Sequence, residues 1–323
     1  SEAMKSATSP VAFSAYAPSN IALSKYWGKR DAARNLPLNS SLSISLAEWG
    51  SHTTVGLSET GEDSVWLNGE DLSLSSKFAS KALKFADLFR DGRDIPLKLD
   101  TRNTIPTAAG LASSASGFAA LTKALCGSFG LNLNDQEMSL IARLGSGSAT
   151  RSFWHGFARW DMGIAEDGGD SFAKPLPYHW PDFRIAIVAV DTGPKSHSSR
   201  DGMNHTVATS PLFATWPAQA EEDCAAIEAA IAEQDFATLG ALAEANALAM
   251  HATMQAARPA LSYLTSDSYA ILERLWSARE DGLNAYATMD AGANIKLIFL
   301  KVSEDDVLSL FPQAQVIDPF GVI

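Results

Sequence analysis

The chain has 323 residues, with 25 Lys and Arg against 37 Asp and Glu, a net charge of −12. That balance excludes a surface built for nucleic acid or an anionic membrane, and any anionic ligand must be met by a local cluster of cations. A hydrophobic share of 46% and a charged share of 19% exclude a disordered or fibrous chain and provide for a substantial core. Cys126 and Cys224 stand 98 positions apart, which is neither a disulfide framework nor a zinc spacing. The stretch around Lys5 has no apolar h-region and no later run reaches about 18 apolar residues, so a cytoplasmic protein is expected.

Residues 11–17 alternate loosely, and Leu42, Ile44 and Leu46 interleave with Ser41, Ser43 and Ser45, the period of two that predicts half-buried strands. Asn68-Gly69 between short apolar segments predicts a type I′ hairpin. Residues 95–100 alternate again, so the first hundred residues are expected to be mostly sheet. From 112 a small-residue run predicts a helix, and Met138, Ile141 and Leu144, three apart, predict a second. Residues 183–191 read as a buried strand. The Ala-rich stretch 217–256, with Ile227 and Ile231 at helical spacing, and residues 267–280 read as helical, and 295–302 as a strong strand. Strands then helices, twice over, predict an α+β protein rather than a doubly wound parallel sheet. Pro175, Pro177 and Pro181 interrupt the pattern as a linker does, placing domains at 1–182 and 183–323.

Five segments carry residues suited to chemistry. Pro106 to Gly117 is a small-residue loop between a strand and a helix, where backbone N–H groups suit phosphate; a tight turn into a packing helix is the plainer reading. Arg143 to Phe153 carries Gly145 and Gly147, which expose backbone N–H groups, with Ser146, Ser148 and the Arg151 guanidinium for an anion; a flexible loop with one surface Arg is the plainer reading. Lys25 and Lys29 flank Tyr26 and Trp27; four residues is a helical turn, but Gly28 argues for a turn of the chain instead, and ordinary solvated lysines are the plainer reading. Gly193 to Met203 is a polar loop with Lys195, Ser199 and Arg200. Asp290 sits among small or apolar neighbours, so its carboxylate is either a turn cap or a desolvated charge in need of a cation. The six histidines show no ligand spacing, which predicts neither a histidine metal site nor a Ser-His-Asp triad.

The segments NIALSKYWGKRD, LPLNSSLSISL, PTAAGLASSASG, GSGSATRS, SSRDGM, EANALAMHA and MDAGANIKL occur in the order and at roughly the spacing of the mevalonate diphosphate decarboxylases of the GHMP kinase superfamily. The chain resembles that family from about Ala15 to Leu300, and KYWGK and GSGSxxRS are specific to that branch. The resemblance implies a GHMP kinase fold, a ribosomal-protein-S5-like N-terminal domain packed on a ferredoxin-like C-terminal domain. It implies a homodimer and ATP- and Mg2+-dependent decarboxylation of mevalonate 5-diphosphate to isopentenyl diphosphate. Asp290 matches the family's catalytic aspartate, Lys25 its lysine, and Arg151, with Asn20 nearby, the arginine that fixes the substrate carboxylate. Tyr26, Lys29, Ser146, Gly147, Ser148, Ser199 and Arg200 match the diphosphate cradle. Pro106, Ala108, Ala109, Gly110, Leu111, Ala112, Ser113 and Ser114 match the ATP phosphate loop, with Ser114, or Ser113, toward Mg2+. Ala293 stands where the family often has proline, which is expected to loosen the turn that aims Asp290, and Thr150 replaces a frequent cysteine. A mevalonate 5-phosphate decarboxylase, a mevalonate 3-kinase and a non-catalytic nucleotide-binding module are the rival readings.

Overall fold

The computed structural model describes residues 9–106, 111–190 and 197–321. The N-terminal half is built on β1 (Phe13–Ser24), β2 (Lys29–Asp31), β3 (Leu36–Pro37), β4 (Ser41–Leu57), β5 (Ser64–Leu67) and β6 (Glu70–Leu72). It continues with α1 (Lys77–Arg90), β7 (Leu97–Asn103), α2 (Ser114–Ser128), α3 (Asp135–Ala142), β8 (Phe157–Trp160) and β9 (Ala173–Pro175). The C-terminal half has β10 (Phe183–Val188), α4 (Ser199–Thr209), α5 (Trp216–Glu233), α6 (Phe236–Gln255) and α7 (Ser266–Glu280), then β11 (Ala285–Thr288), β12 (Ile295–Leu300), α8 (Glu304–Leu310) and β13 (Gln315–Ile317).

The first sheet is organised by β4. One edge of this long strand pairs antiparallel with β1, and the other is shared by β7 at its C-terminal part and β8 at its N-terminal part. Mid-strand, Ala47 adopts φ 55°, where the β1 pairing skips from Pro18–Gly50 to Asn20–Ser45. This bulge separates the part of β4 that packs under α2 from the part that faces the C-terminal half. The Asn68-Gly69 hairpin forms as its chemistry requires, with φ 52° and 84° and Leu67 opposite Glu70. The second sheet is antiparallel in the order β11-β12-β10-β13. Together the two halves form the mixed α+β arrangement expected of a GHMP kinase-like fold.

Four expectations are corrected. The first hundred residues are not mostly sheet, because α1 intervenes: Ser76 caps it at Ala79 N–H, and Ala79, Ala82, Phe85, Ala86 and Phe89 bury one helical face. Residues 199–203 are not loop but the first turns of α4, capped by the Ser198 side chain on Asp201 N–H. The Ala-rich 217–256 is two helices, broken where Gln234 adopts φ 53° and Asp235 caps the second. The helix predicted around Met138, Ile141 and Leu144 stops at Ala142, and Leu144 lies exposed beyond it.

The largest core cluster crosses the Pro175–Pro181 segment. Ile21, Leu23, Leu42, Ile44 and Leu46 from β1 and β4 join Ile185, Ile187, Ile227, Leu239, Ala243 and Leu297 from the C-terminal half. The helices α5 and α6 supply this contact, packing against β1. A second cluster lies between α1, α2 and the first sheet. The interface between the halves is thus continuous core, and a cleft opens beside it.

Candidate active site

Lys25 follows the last residue of β1 and is 2% exposed. Its ammonium donates to Ala22 O at 2.7 Å and to Asp290 Oδ1 at 2.6 Å. Its backbone is fixed from both halves: Lys25 N–H donates to Asn246 Oδ1 at 2.8 Å, and Asn39 Nδ2 donates to Lys25 O at 2.6 Å. Asn246, on α6, is itself held by Asp223 of α5 at 3.0 Å. The chain turns after Trp27 at Gly28, with φ 103° and an added Cβ only 2.5 Å from Phe213, so no other residue fits there. The sequence expectation of a turn rather than a helix between Lys25 and Lys29 therefore holds.

Asp290 lies in the turn between β11 and β12, its side chain partly open to the cleft. The turn is held by Gly292 N–H on Asp290 O at 2.8 Å, by the Ser268 hydroxyl donating to Ala293 O at 2.7 Å, and by Asn294 Oδ1 accepting from Val190 N–H at 2.8 Å. These bonds secure the turn without a proline at Ala293. A second ammonium, Lys296 on β12, stands 3.5 Å from Asp290 Oδ2. Desolvation alone would raise the carboxyl, but Lys25, Lys296 and Arg151 together hold it far below the usual carboxylate range. Burial in turn pulls the Lys25 ammonium below the ordinary lysine range, and Asp290 offsets only part of that.

Arg151 ends a short 3-10 turn, Gly147–Arg151, and is 4% exposed. It donates to Ser41 Oγ at 2.5 Å and makes no ion pair among the described residues. Among the described residues its buried Nε has no hydrogen-bond partner, and neither does the buried hydroxyl of Tyr26. Buried polar groups are nearly always satisfied, so unpartnered atoms of cleft-lining residues, the Arg151 Nε and Tyr26 hydroxyl among them, mark where a polar ligand belongs. Asn20 Nδ2 pins the turn, donating to Ser148 O at 3.1 Å and Ser152 Oγ at 2.6 Å, and Thr150 Oγ1 donates to Gly147 O at 2.7 Å. Gly147 is required for packing: an added Cβ would sit 2.8 Å from both the Trp160 and Tyr26 rings, which themselves pack edge-on at 4.7 Å.

These groups line one cleft of about 910 Å³. Lys25, Asp290, Arg151 and Asn20 share it with Tyr26, Lys29, Ser146, Gly147, Ser148, Ser199 and Arg200 of the expected cradle. Ser199 and Arg200 open α4, whose first-turn N–H groups add donors for an anion. Of the phosphate loop, Leu111, Ala112 and Ser114 line the cleft; Pro106 and Ser113 flank it without lining it, and Ala108, Ala109 and Gly110 lie outside the described residues, as does Lys195. Sequence reasoning missed Lys81, Lys296, Asn246 and Ser41. A lysine within the apolar strand IKLIFL was the available signal for Lys296, since such a charge is costly unless it is used. Among the described lining residues, Lys25, Lys29, Lys81, Arg151, Arg200 and Lys296 face one carboxylate, Asp290. Burial, Arg200 and Lys81 push the Lys29 ammonium down to about 8. In a chain of net charge −12 this is the local cation cluster that an anionic ligand demands.

No cluster of three His, Cys, Asp or Glu capable of holding a metal occurs among the described residues, and no helix there is long and apolar enough to cross a membrane. Comparison with known proteins matches both halves of the chain. Residues 17–173 match the diphosphomevalonate decarboxylase-like N-terminal domain and residues 185–318 the mevalonate 5-diphosphate decarboxylase C-terminal domain. The diphosphomevalonate decarboxylase of Candida albicans is 39% identical over 91% of this chain and 86% of its own length. The crystal structure of mevalonate diphosphate decarboxylase from Staphylococcus aureus superposes with a TM-score of 0.89 at 37% identity, over 95% of each chain. A structure described as MDDEF in complex with MVAPP, AMPPCP and magnesium gives 0.89 at 38% identity, over 95% of this chain and 96% of that one. With both halves matched and the Asp290–Lys25 pair seated in a cation-lined cleft between them, the chain belongs to the diphosphomevalonate decarboxylase family.

Proposed function

We propose that this protein converts mevalonate 5-diphosphate and ATP to isopentenyl diphosphate, ADP, phosphate and CO2. The observation that carries the reading is the Asp290–Lys25 pair at 2.6 Å in a cleft where six cations meet one carboxylate. A diphosphate, a carboxylate and a nucleotide triphosphate require that excess of positive charge in one place.

In this reading the carboxylate of Asp290 accepts a hydrogen bond from the tertiary 3-hydroxyl and aims its oxygen at the terminal phosphoryl group of ATP. A carboxyl held so far below working pH is a poor proton acceptor, so its task is orientation and charge placement more than early deprotonation. Lys25 keeps Asp290 ionised and fixed. Arg151, with its Nε free to donate, takes the substrate carboxylate, while Asn20 holds the Ser148–Ser152 turn in place. Transfer of the phosphoryl group to the 3-hydroxyl oxygen releases ADP, with the hydroxyl proton passing to a phosphate oxygen; as the 3-phosphate then departs, positive charge develops at C3, the bond to the carboxylate breaks with loss of CO2, and its electron pair forms the double bond. The hydroxyl of Tyr26, Lys29, the Ser146–Ser148 turn and the first turn of α4 with Ser199 and Arg200 hold the 5-diphosphate.

Leu111, Ala112 and the start of α2 border the ATP phosphates. The donor set suits Mg2+ carried in on phosphate oxygens, since the chain offers a hydroxyl, Ser114, rather than a cage of carboxylates. The ion would neutralise charge on the transferring phosphoryl group. A division at 182/183 is part of the proposal, supported by family matches that end at 173 and resume at 185. A cytoplasmic homodimer is the expected form, with light scattering as the test of its mass.

The decisive assay offers mevalonate, its 5-phosphate and its 5-diphosphate in parallel with ATP and Mg2+, following ADP and CO2 separately. Release of both, one for one, with the 5-diphosphate alone is the expected result. Stoichiometric release with the monophosphate reassigns the substrate, ADP without CO2 makes the protein a 3-kinase, and neither product leaves a nucleotide-binding module.

A further inference from the structure

Lys296 has no role of its own in the mechanism proposed above, beyond its charge beside Asp290. It sits in the middle of β12, opposite Ile187 of β10 and Thr288 of β11, and is the sole charge in an otherwise apolar six-residue strand. It is 4% exposed, and the ion pair that the structure gives it is with Asp290. That carboxylate is already engaged by Lys25 on its other oxygen. Burying a second ammonium against one anion is costly, and Asp290 already has the partner that a purely structural ion pair would need.

We propose that Lys296 is a positioning residue for the decarboxylase reaction: as the second cation on Asp290, it keeps that carboxylate ionised and holds Oδ2 while Lys25 holds Oδ1. The inference rests on Asp290 being the reactive carboxylate. The charged and titratable groups that face Asp290 are Lys25 after β1, Arg151 at the end of the 3-10 turn, Lys296 on β12 and His251 on α6. His251 bonds Met289 O at 3.3 Å, and burial pushes it down to about 4, so it is neutral at working pH. Desolvation is the largest influence on Asp290, and Lys296 ranks next to Lys25 in opposing it. With both lysines neutralised, Arg151 is the named cation left to oppose desolvation, and the carboxyl is expected to rise toward the range where it can be titrated.

Two measurements test this. The first needs no turnover: protein carrying 13Cγ-aspartate, with Asp290→Asn to assign the resonance, is titrated as Lys25→Met and as Lys25→Met/Lys296→Met, with folding followed by circular dichroism. The double variant is expected to titrate at least about one pH unit above the single one, the least that removing a unit charge at this distance produces even in water. Equal titration in the two variants overturns the proposal. The second compares steady-state rates. Lys296→Met should lower kcat about ten-fold or more with KM for ATP little changed. Lys296→Arg should recover most of the loss, and Lys301→Met, at an exposed lysine just past β12, should behave as wild type. A Lys296→Arg as damaged as Lys296→Met, or no loss in Lys296→Met, removes the charge role. A wild-type protein inactive on the diphosphate sinks the proposed function and leaves the titration to judge Lys296 alone.

Discussion

Asp290 and Lys25 lie 265 positions apart in sequence and 2.6 Å apart in space. Because the pair combines orientation with charge neutralisation, Asp290→Asn and Lys25→Ala are each expected to cut kcat by on the order of 10²-fold or more. Nucleotide affinity by calorimetry should change little, and loss of ATP binding would count against the assignment. Lys29 carries a pH prediction. A lysine pushed down to about 8 loses its charge as pH rises through that value, so the free enzyme loses a diphosphate contact on the alkaline side. Bound diphosphate favours the ammonium, so kcat/KM for the phosphorylated substrate should fall above about pH 8 while kcat holds further. Lys29→Arg should move that limb upward. Asp290 stood out because a carboxylate among small and apolar residues needs a cation, whereas Lys25 was singled out by its motif alone. Lys296, Lys81 and Asn246 were not, since their relevance is a matter of which strand or helix is folded beside Lys25 and Asp290.

At the scale of elements, the turns that present the site are defined by caps and by close packing. Removing the Ser198 cap in Ser198→Ala should cost about 1 kcal/mol of stability. It should also raise KM for the diphosphate more than for ATP, because Ser199 and Arg200 stand on the turn it secures. Gly147→Ala drives a methyl into the Trp160 and Tyr26 rings and should destabilise by about 1–3 kcal/mol, read by denaturant unfolding. The sequence reading attributed Gly145 and Gly147 to backbone exposure; the structure adds that aromatic rings occupy the space where their Cβ atoms would lie. The strands, the hairpin at Asn68-Gly69 and the helix after residue 113 were legible from period and turn chemistry. The helix α1 was overlooked although its apolar face recurs at helical spacing behind the Ser76 cap. The start of α4 read as loop because it is polar and contains Gly202, which is explained by its packing: a Cβ there would meet the Tyr263 hydroxyl at 2.4 Å.

Across the whole molecule, the core that joins β1 and β4 to α5, α6 and the second sheet runs through both halves, so they are expected to unfold together. Leu42→Ala, at a fully buried position of that shared cluster, should cost about 2–5 kcal/mol and lower a single unfolding transition. Two separated calorimetric transitions would contradict this. The same continuity explains why the cleft is preserved as a unit: Lys25 on the N-terminal half is held by Asn246 on the C-terminal half. The sequence by itself determined the globular class, the strand and turn chemistry, the acidic balance that forces any anion site to be a local cation cluster, and, through its motifs, the family. These are properties of composition and short-range pattern. Only the tertiary structure decided which cations share Asp290, that a helix rather than a loop presents Arg200, and that one buried cluster draws residues from both halves. Burial and charge proximity arise between residues far apart in the chain, and no local period records them.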